Sequence, residues 1–436
     1  MKWWKTYRIL AQKRKQLRWS EEELKRYRAW KLRELVKFAY NNSPFYRKFY
    51  EQHGIHPDQI QTEEDLKRLP FLEKESLRHT DPLQVITIKP KDGSFQEGEL
   101  MVEVTSGSTG EPLKIKRTWR DLYYIKANDI RAFQQTGFRF FHRQVILKSS
   151  TTSVTGRHWF ERFGILRKYW LSVTDSLEHN LARLKEIRPH HLHGYPNGLV
   201  EIAEFLQDRK ETFTIPIICT GAEVMDRHMR QKISEAFNAE VFDLYGVREV
   251  GNVAWECQAH QGMHNNDDSM IVEILDENGH EVSEGTDGEV VVTHLDSFDY
   301  PFIRYRLGDR ALRQAGMCPC GVAFSRLNSI TGRDDARIRL PSGRWITGMV
   351  FQELRTVPWL SAFRIVQDDA ASVKLQVVPK STVQQDKLKA LVAQTSNLMH
   401  GELAVVPEVL NKLERDKSGK LRAVICRLPG EKENKV

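Results

Sequence analysis

Cysteine is scarce in this chain: Cys219, Cys257, Cys318, Cys320 and Cys426 are the only five among 436 residues. An odd, sparse set does not make a disulfide framework and fits a reducing, cytoplasmic setting. No apolar run approaches the roughly 18 residues that cross a bilayer, which argues against a membrane-spanning helix. The basic N-terminus is not followed by a continuous apolar stretch, so it does not read as a secretory signal. The Walker phosphate-loop pattern is missing, as are internal repeats and low-complexity tracts, which removes P-loop NTPases and solenoids. What remains is 40% hydrophobic, 10% aromatic and 28% charged. That is the composition of a globular chain long enough for two or three domains.

The formal charge is +8, but it is not spread evenly. Residues 1–40 carry thirteen Lys/Arg against Glu21, Glu22, Glu23 and Glu34, a local surplus of nine that leaves the rest of the chain close to neutral. Confinement of the charge to one end, without aromatic stacking motifs in the body, argues against a nucleic-acid partner. Trp3, Tyr7, Leu10 and Leu17 fall near one helical face of this segment. The pattern favours an amphipathic helix packed on its own domain with a solvated basic side, since Arg14 interrupts the apolar stripe. The competing reading is a weak contact with an anionic membrane surface.

The helical region of residues 1–80 opens a long helix at Ser20, whose Glu23 completes a capping-box pattern. The segment TEEDLKRLPFLEKESLR reads as two short helices broken by Pro70. From about residue 100, apolar runs ending in small or polar residues (MVEVTSG, VILKSS, IPIICTG, EVFDLYG) alternate with helical patterns. That alternation predicts an α/β fold with a mainly parallel sheet, whose ligands gather at the carboxyl ends of the strands. Residues 270–310 are richer in strand patterns and predict a β-rich subdomain. The expected organisation is a helical segment over 1–80 within a large domain, a nucleotide-binding core over 81–334, and a small mobile α+β lid over 335–436.

Several motifs carry chemistry. Thr105, Ser106, Gly107, Ser108, Thr109 and Gly110 form a hydroxyl- and glycine-rich loop after a strand, suited to donate hydrogen bonds to phosphate oxygens. Asp243-Leu244-Tyr245-Gly246 closes a strand. Its tyrosine can lie on a base, and Glu249 can hold Mg²⁺ against phosphates. Asp309, in a glycine turn, suits ribose hydroxyls. Arg333 belongs to Gly-Arg-Asp-Asp, and Lys420 sits on a glycine turn near the C-terminus. Cys257, His264, Cys318 and Cys320 present three thiolates and one imidazole, the donor set of a closed structural zinc site, with His260 the competing fourth ligand.

Taken together, TSGSTGEP, TGAE (220–223), DLYGVRE (243–249), RYRLGD (304–309), GRDD and SGK resemble the acyl-adenylate-forming ligase superfamily. The resemblance narrows to the phenylacetate–CoA ligase-like branch, which includes enzymes from capsular-polysaccharide clusters and coenzyme-adenylating synthetases. It implies ATP- and Mg²⁺-dependent activation of a small carboxylic acid as an acyl-adenylate, with pyrophosphate released. The acyl group would then pass to coenzyme A or an amine. The alternative it leaves is transfer of AMP to a hydroxyl acceptor. By position, residues 105–109 would wrap the β- and γ-phosphates, and Gly221, Ala222 and Glu223 would line the adenine side. Tyr245 would stack on the base beside Gly246, and Glu249 would bind Mg²⁺. Asp309 and Arg333 would hold the ribose, Asp335 would be the hinge, and Lys420 would bridge the substrate carboxylate and the α-phosphate. Members of the branch often carry the Cys/His zinc arrangement as well. A homodimer is a candidate assembly, and the segments around 145–152 and 191–196 are candidates for the acid pocket.

Overall fold

The computed structural model describes residues 2–89, 95, 98–105, 112–148, 159–333, 336–382, 384–416 and 419–428. Ser20 starts helix Glu21–Asn42 as its sequence requires. Its hydroxyl accepts from the Glu23 N–H (3.2 Å) while the Glu23 carboxylate accepts from the Ser20 N–H (2.8 Å). Pro70 separates a 3-10 turn, Glu63–Arg68, from the short helix Lys74–Arg78. Leu72, between them, is pinned to strand Tyr305–Gln314 through backbone hydrogen bonds with Arg304 and Arg306. The helical segment is thereby tied to the body.

One eleven-stranded sheet organises that body. Five strands, Lys168–Ser172, Gln144–Lys148, His191–Gly194, Ile217–Gly221 and Glu240–Val247, lie side by side and parallel. The inner ones carry short apolar runs such as Val145–Leu147 and Ile218–Cys219, buried because helices cover both faces, while the edge strand Lys168–Ser172 is partly exposed. The β-rich segment does not form a sheet of its own. It continues the same sheet with six antiparallel strands, beginning at the hairpin between Glu240–Val247 and Gly251–Glu256. The hairpin closes tightly: a Cβ on Gly246 would lie 2.8 Å from the Gly251 carbonyl oxygen. Among the described residues, strand Leu100–Val104 pairs with Lys114–Thr118 alone, as a separate ribbon.

Beyond residue 336 the chain builds a four-stranded sheet backed by helix Gln385–Leu398. A hydrophobic cluster of its own includes Ile338, Phe351, Ile365, Leu375 and Met399.

The basic N-terminal segment is anchored more deeply than a solvated helix would be. Lys13, on helix Trp3–Gln16, is fully buried, with Nζ 2.7 Å from Asp296 Oδ2 and 2.8 Å from the Asp268 carbonyl oxygen. Lys31 reaches the other Asp296 oxygen at 2.9 Å, and Arg131 holds Asp268 with two nitrogens. A buried carboxylate requires a partner charge, and two of the cations here supply it to Asp296.

Candidate active site

The carboxyl ends of the parallel strands and the turns beside them bring most of the expected residues to one place. Tyr245 lies at the end of its strand with the ring buried, and its hydroxyl donates to Asp309 Oδ2 at 2.9 Å. Asp309 and Arg333 are cross-strand partners, with Arg333 Nη1 4.0 Å from Asp309 Oδ1. Burial raises the Asp309 carboxyl above its usual range, opposed by the Arg333 guanidinium and the Tyr245 hydroxyl. The tyrosine is pushed far up, first by burial and then by the Asp309 charge, so it remains a hydrogen-bond donor.

Glu249 occupies the turn after Gly246 and is buried. Its Oε1 accepts from Lys74 Nζ at 2.8 Å and from the Tyr305 hydroxyl at 3.3 Å. Its main-chain carbonyl accepts from the buried Arg117, which also bonds the Arg248 carbonyl and Glu103. Lys74 and Arg117 belong to no motif, and Tyr305, although inside RYRLGD, has no role assigned to it. The Leu72 tether and the ribbon bring Lys74 and Arg117 to it, and no local sequence signal marked those two.

Gly221 ends its strand where a Cβ would lie 2.9 Å from the Leu244 carbonyl oxygen, so only glycine fits. Ala222 follows in the left-handed region at φ 69°, a strained conformation for a residue with a side chain. Glu223, expected on the adenine side, is bonded to Asn197 and to the C-terminal segment. Its Oε2 accepts from Asn197 N and Nδ2 (3.1 and 3.0 Å), and its Oε1 accepts from the Leu421 N–H at 2.9 Å. Asn197 Nδ2 also donates to the Leu421 carbonyl at 3.2 Å. One carboxylate and one amide thus hold the C-terminal segment against the parallel sheet. Arg355 with Asp226 (2.6 Å), Arg227 with Glu353 (3.2 Å) and Arg415 with Glu201 add ion pairs across the same boundary.

Lys420, next to that clamp, is partly buried on a turn closed by Asp416, whose carboxylate accepts from the Lys420 N–H at 3.0 Å. Burial lowers the Lys420 ammonium below its usual range, against the pull of the Glu223, Asp416 and Asp309 carboxylates. Thr105 closes the neck of the hydroxyl-rich loop: its N–H donates to the Leu113 carbonyl (3.0 Å), and its Oγ1 accepts from the Leu113 N–H (2.9 Å). Ser106, Gly107, Ser108, Thr109 and Gly110, and the expected hinge Asp335, lie outside the described residues. His193, from the candidate acid-pocket segments, packs against Phe133 with ring centroids 5.4 Å apart and places Nδ1 3.2 Å from the Cys219 carbonyl oxygen.

The Cys/His constellation is assembled on the far side of the same hairpin. Cys257 follows strand Gly251–Glu256, His264 lies on Met263–Asn265, and Cys318 and Cys320 lie in the turn before Arg326–Arg333. Cys257 Sγ and Cys318 Sγ are 3.6 Å apart, Cys320 Sγ is 3.3 Å from His264 Nε2, and all four donor atoms lie within 4.8 Å of one another. The sulfur spacing is far beyond a disulfide bond but matches adjacent corners of a tetrahedron of thiolates around zinc. His264 Nδ1 is 3.3 Å from the Phe324 carbonyl oxygen and its ring stacks on Trp255, which fixes the tautomer with Nε2 turned to the sulfurs. His260 is engaged elsewhere, between Glu256 (3.0 Å) and Glu240 (3.1 Å).

Residues 341–427 match the family model described as the CapK C-terminal domain. A phenylacetate-coenzyme A ligase of Thermus thermophilus is 26% identical over 325 residues, 72% of this chain and 71% of that protein. Another, from Aromatoleum evansii, is 25% identical over 435 residues, 94% of this chain and 96% of the relative. Among solved structures, 2-hydroxyisobutyryl-CoA ligase in its postadenylation state is similar with a TM-score of 0.77 at 21% identity, over 94% of this chain and 90% of its own.

Proposed function

We propose that this chain, which belongs to the adenylate-forming ligases in their phenylacetate–CoA ligase-like branch, activates a carboxylic acid with ATP and passes the acyl group to coenzyme A. In the first step a carboxylate oxygen attacks the α-phosphorus, the bond to the β,γ-diphosphate breaks, and pyrophosphate leaves with that electron pair. In the second, the coenzyme A thiolate attacks the acyl carbon and AMP leaves. The relatives support thioester formation over transfer of AMP to a hydroxyl; they do not distinguish the acid.

The observations that support the reading are the Tyr245–Asp309–Arg333 group and the clamp by which Glu223 and Asn197 hold the backbone of Leu421, the residue after Lys420. Asp309 would accept from the ribose hydroxyls, and Tyr245, already hydrogen-bonded to it, would lie along the base. Gly221 and Ala222 would form the adenine edge, and the loop from Thr105 to Gly110 would donate to the β- and γ-phosphates. Joining two anions is slow because they repel. A lysine placed between carboxylate and α-phosphate gains most in the transition state, where negative charge concentrates. With residues 335–436 acting as a lid about Asp335, Lys420 would withdraw after adenylation and leave room for the thiol.

Glu249 offers one buried carboxylate for Mg²⁺, an ion that takes one or two protein carboxylates plus substrate phosphates. Lys74 on the same oxygen lowers the local negative charge, so the nucleotide would have to supply most of the ligands. Bound there, the ion would neutralise phosphate charge. Cys257, His264, Cys318 and Cys320 fit structural Zn²⁺ by donor set and spacing, and would staple the hairpin to the turn at residues 318–320.

ATP–pyrophosphate exchange across aryl, aliphatic and amino acids, each with and without coenzyme A, tests the reading. At least one acid should support exchange, and Lys420→Ala should abolish it while leaving ATP binding measurable. Full exchange in Lys420→Ala refutes the role given to the lysine.

A further inference from the structure

Helix Trp3–Gln16 carries Lys5, Arg8, Lys13, Arg14 and Lys15 and no acidic residue. Its buried side is Thr6, Leu10, Lys13 and Gln16. Trp3, at the margin, meets Phe160 edge-on at 5.1 Å and so joins the helix to the turn Trp159–Phe163. Arg14 lies over the Phe140 ring at 5.2 Å, and the next residue's carbonyl, that of Phe141, accepts from Arg167 at 3.5 Å. Three segments distant in sequence therefore share one face.

That face is aromatic and exposed. Trp159 is 72% exposed, Phe163 69%, Phe141 64%, Trp4 60% and Tyr7 59%. Of the six large aromatic side chains exposed among the described residues, only Trp30 lies elsewhere. Single exposed aromatics are ordinary, but five on segments that the Trp3–Phe160 and Arg14–Phe140 contacts tie together mark a contact surface. The three segments are themselves strongly basic: residues 2–18, 139–143 and 159–168 hold twelve Lys/Arg and a single acid, Glu161, with Asp129 of the adjoining helix near Lys168. Lys13 is drawn inward to Asp296. Several of the others meet neutral groups: Arg14 bonds the Gln134 side-chain carbonyl, Arg143 the carbonyls of Ile187 and Arg188, and Arg167 that of Phe141.

We propose that this face seats the protein on an anionic lipid bilayer, with Trp4, Tyr7, Phe141, Trp159 and Phe163 at headgroup depth and the surrounding Lys/Arg on lipid phosphates. Indole and phenyl rings flanked by cations are the side chains that partition to that interface. The rings pack edge-to-face on one another, Trp159 at 74° to Phe160 and 77° to Phe163. They make a wedge rather than the flat platforms on which single-stranded bases stack. Among the described residues no helix is long and apolar enough to cross a membrane, so the contact is with the surface.

Sedimentation of the full chain with vesicles of phosphatidylcholine alone, or mixed with phosphatidylglycerol, tests this. Binding should be about tenfold or more stronger on the mixed vesicles and should weaken as salt screens the surface potential. Trp159→Ser with Phe163→Ser, and separately Lys5→Glu with Arg8→Glu, should each lower it about tenfold with thermal unfolding unchanged, since these side chains are exposed. Equal binding to both vesicles, no binding, or variants that bind like the parent would overturn the proposal. So would a dimer that the aromatic variant dissociates, or single-stranded RNA bound through the same residues.

Discussion

Replacement of Lys13 by methionine isolates the anchor of the N-terminal helix. The ammonium group has no solvent exposure, sits 2.7 Å from Asp296 and accompanies an aspartate that is also fully buried. These contacts are ionic rather than well-aligned hydrogen bonds: neither Asp296 oxygen makes one of good geometry. Methionine keeps the length and packing of the stem and removes the charge. Breaking a buried pair while leaving one partner inside costs about 3–5 kcal/mol. Lys31 stays 2.9 Å from Asp296, so the lower end applies, about 3 kcal/mol, or roughly 150-fold in a local opening equilibrium. Hydrogen exchange of the amides in residues 6–16 should accelerate by about that factor.

The pH dependence has a definite sign. Burial raises the Asp296 carboxyl, but the Lys13 and Lys31 charges outweigh it and hold the group well below the usual range. A carboxyl depressed in the folded state stabilises fully above its unfolded value of about 4 and loses that contribution as the pH falls further. Protection of the helix should fade below about pH 4 in the parent, and the fade should be smaller in Lys13→Met, where Asp296 keeps only Lys31 and has less of this contribution to lose. Acceleration of less than about tenfold, the scale of an exposed ion pair, refutes the assignment of a buried anchor.

Two other outcomes follow from the same geometry. Purified protein should contain about one zinc per chain, and Cys318→Ser should lower both zinc content and resistance to thermal unfolding; metal analysis finding none in the parent refutes the site. Tyr245→Phe removes a hydrogen bond to a buried carboxylate, worth about 1.5–3 kcal/mol. The KM for ATP in pyrophosphate exchange should therefore rise about tenfold or more, and an unchanged KM refutes a nucleotide-facing role for the Tyr245–Asp309 pair.

The sequence alone determined the local features whose physics is short in range. Ser20 and Glu23 cap their helix because the capping box needs only residues three apart. The parallel strands Gln144–Lys148, Ile217–Gly221 and Glu240–Val247 announce themselves as short apolar runs, whereas Lys168–Ser172 and His191–Gly194, with their lysine and histidines, do not. The Cys/His set is legible because thiols and imidazoles are rare and chemically singular, although only the fold separates His264 from His260. The motif residues Tyr245, Asp309, Arg333 and Lys420 were nameable in advance, but not the tyrosine–aspartate hydrogen bond between positions 64 residues apart.

What the tertiary structure decided is which groups neutralise which. Lys74 and Tyr305 on Glu249, Arg117 behind it, and Glu223 on the backbone of Leu421 join residues that no periodicity relates. The same holds for the N-terminal charge. Thirteen basic residues can be counted in the sequence, yet whether a given lysine meets water or a buried aspartate depends on where residues near 268 and 296 return to the core. Electrostatic energy depends on distance and burial, and both are properties of the folded chain.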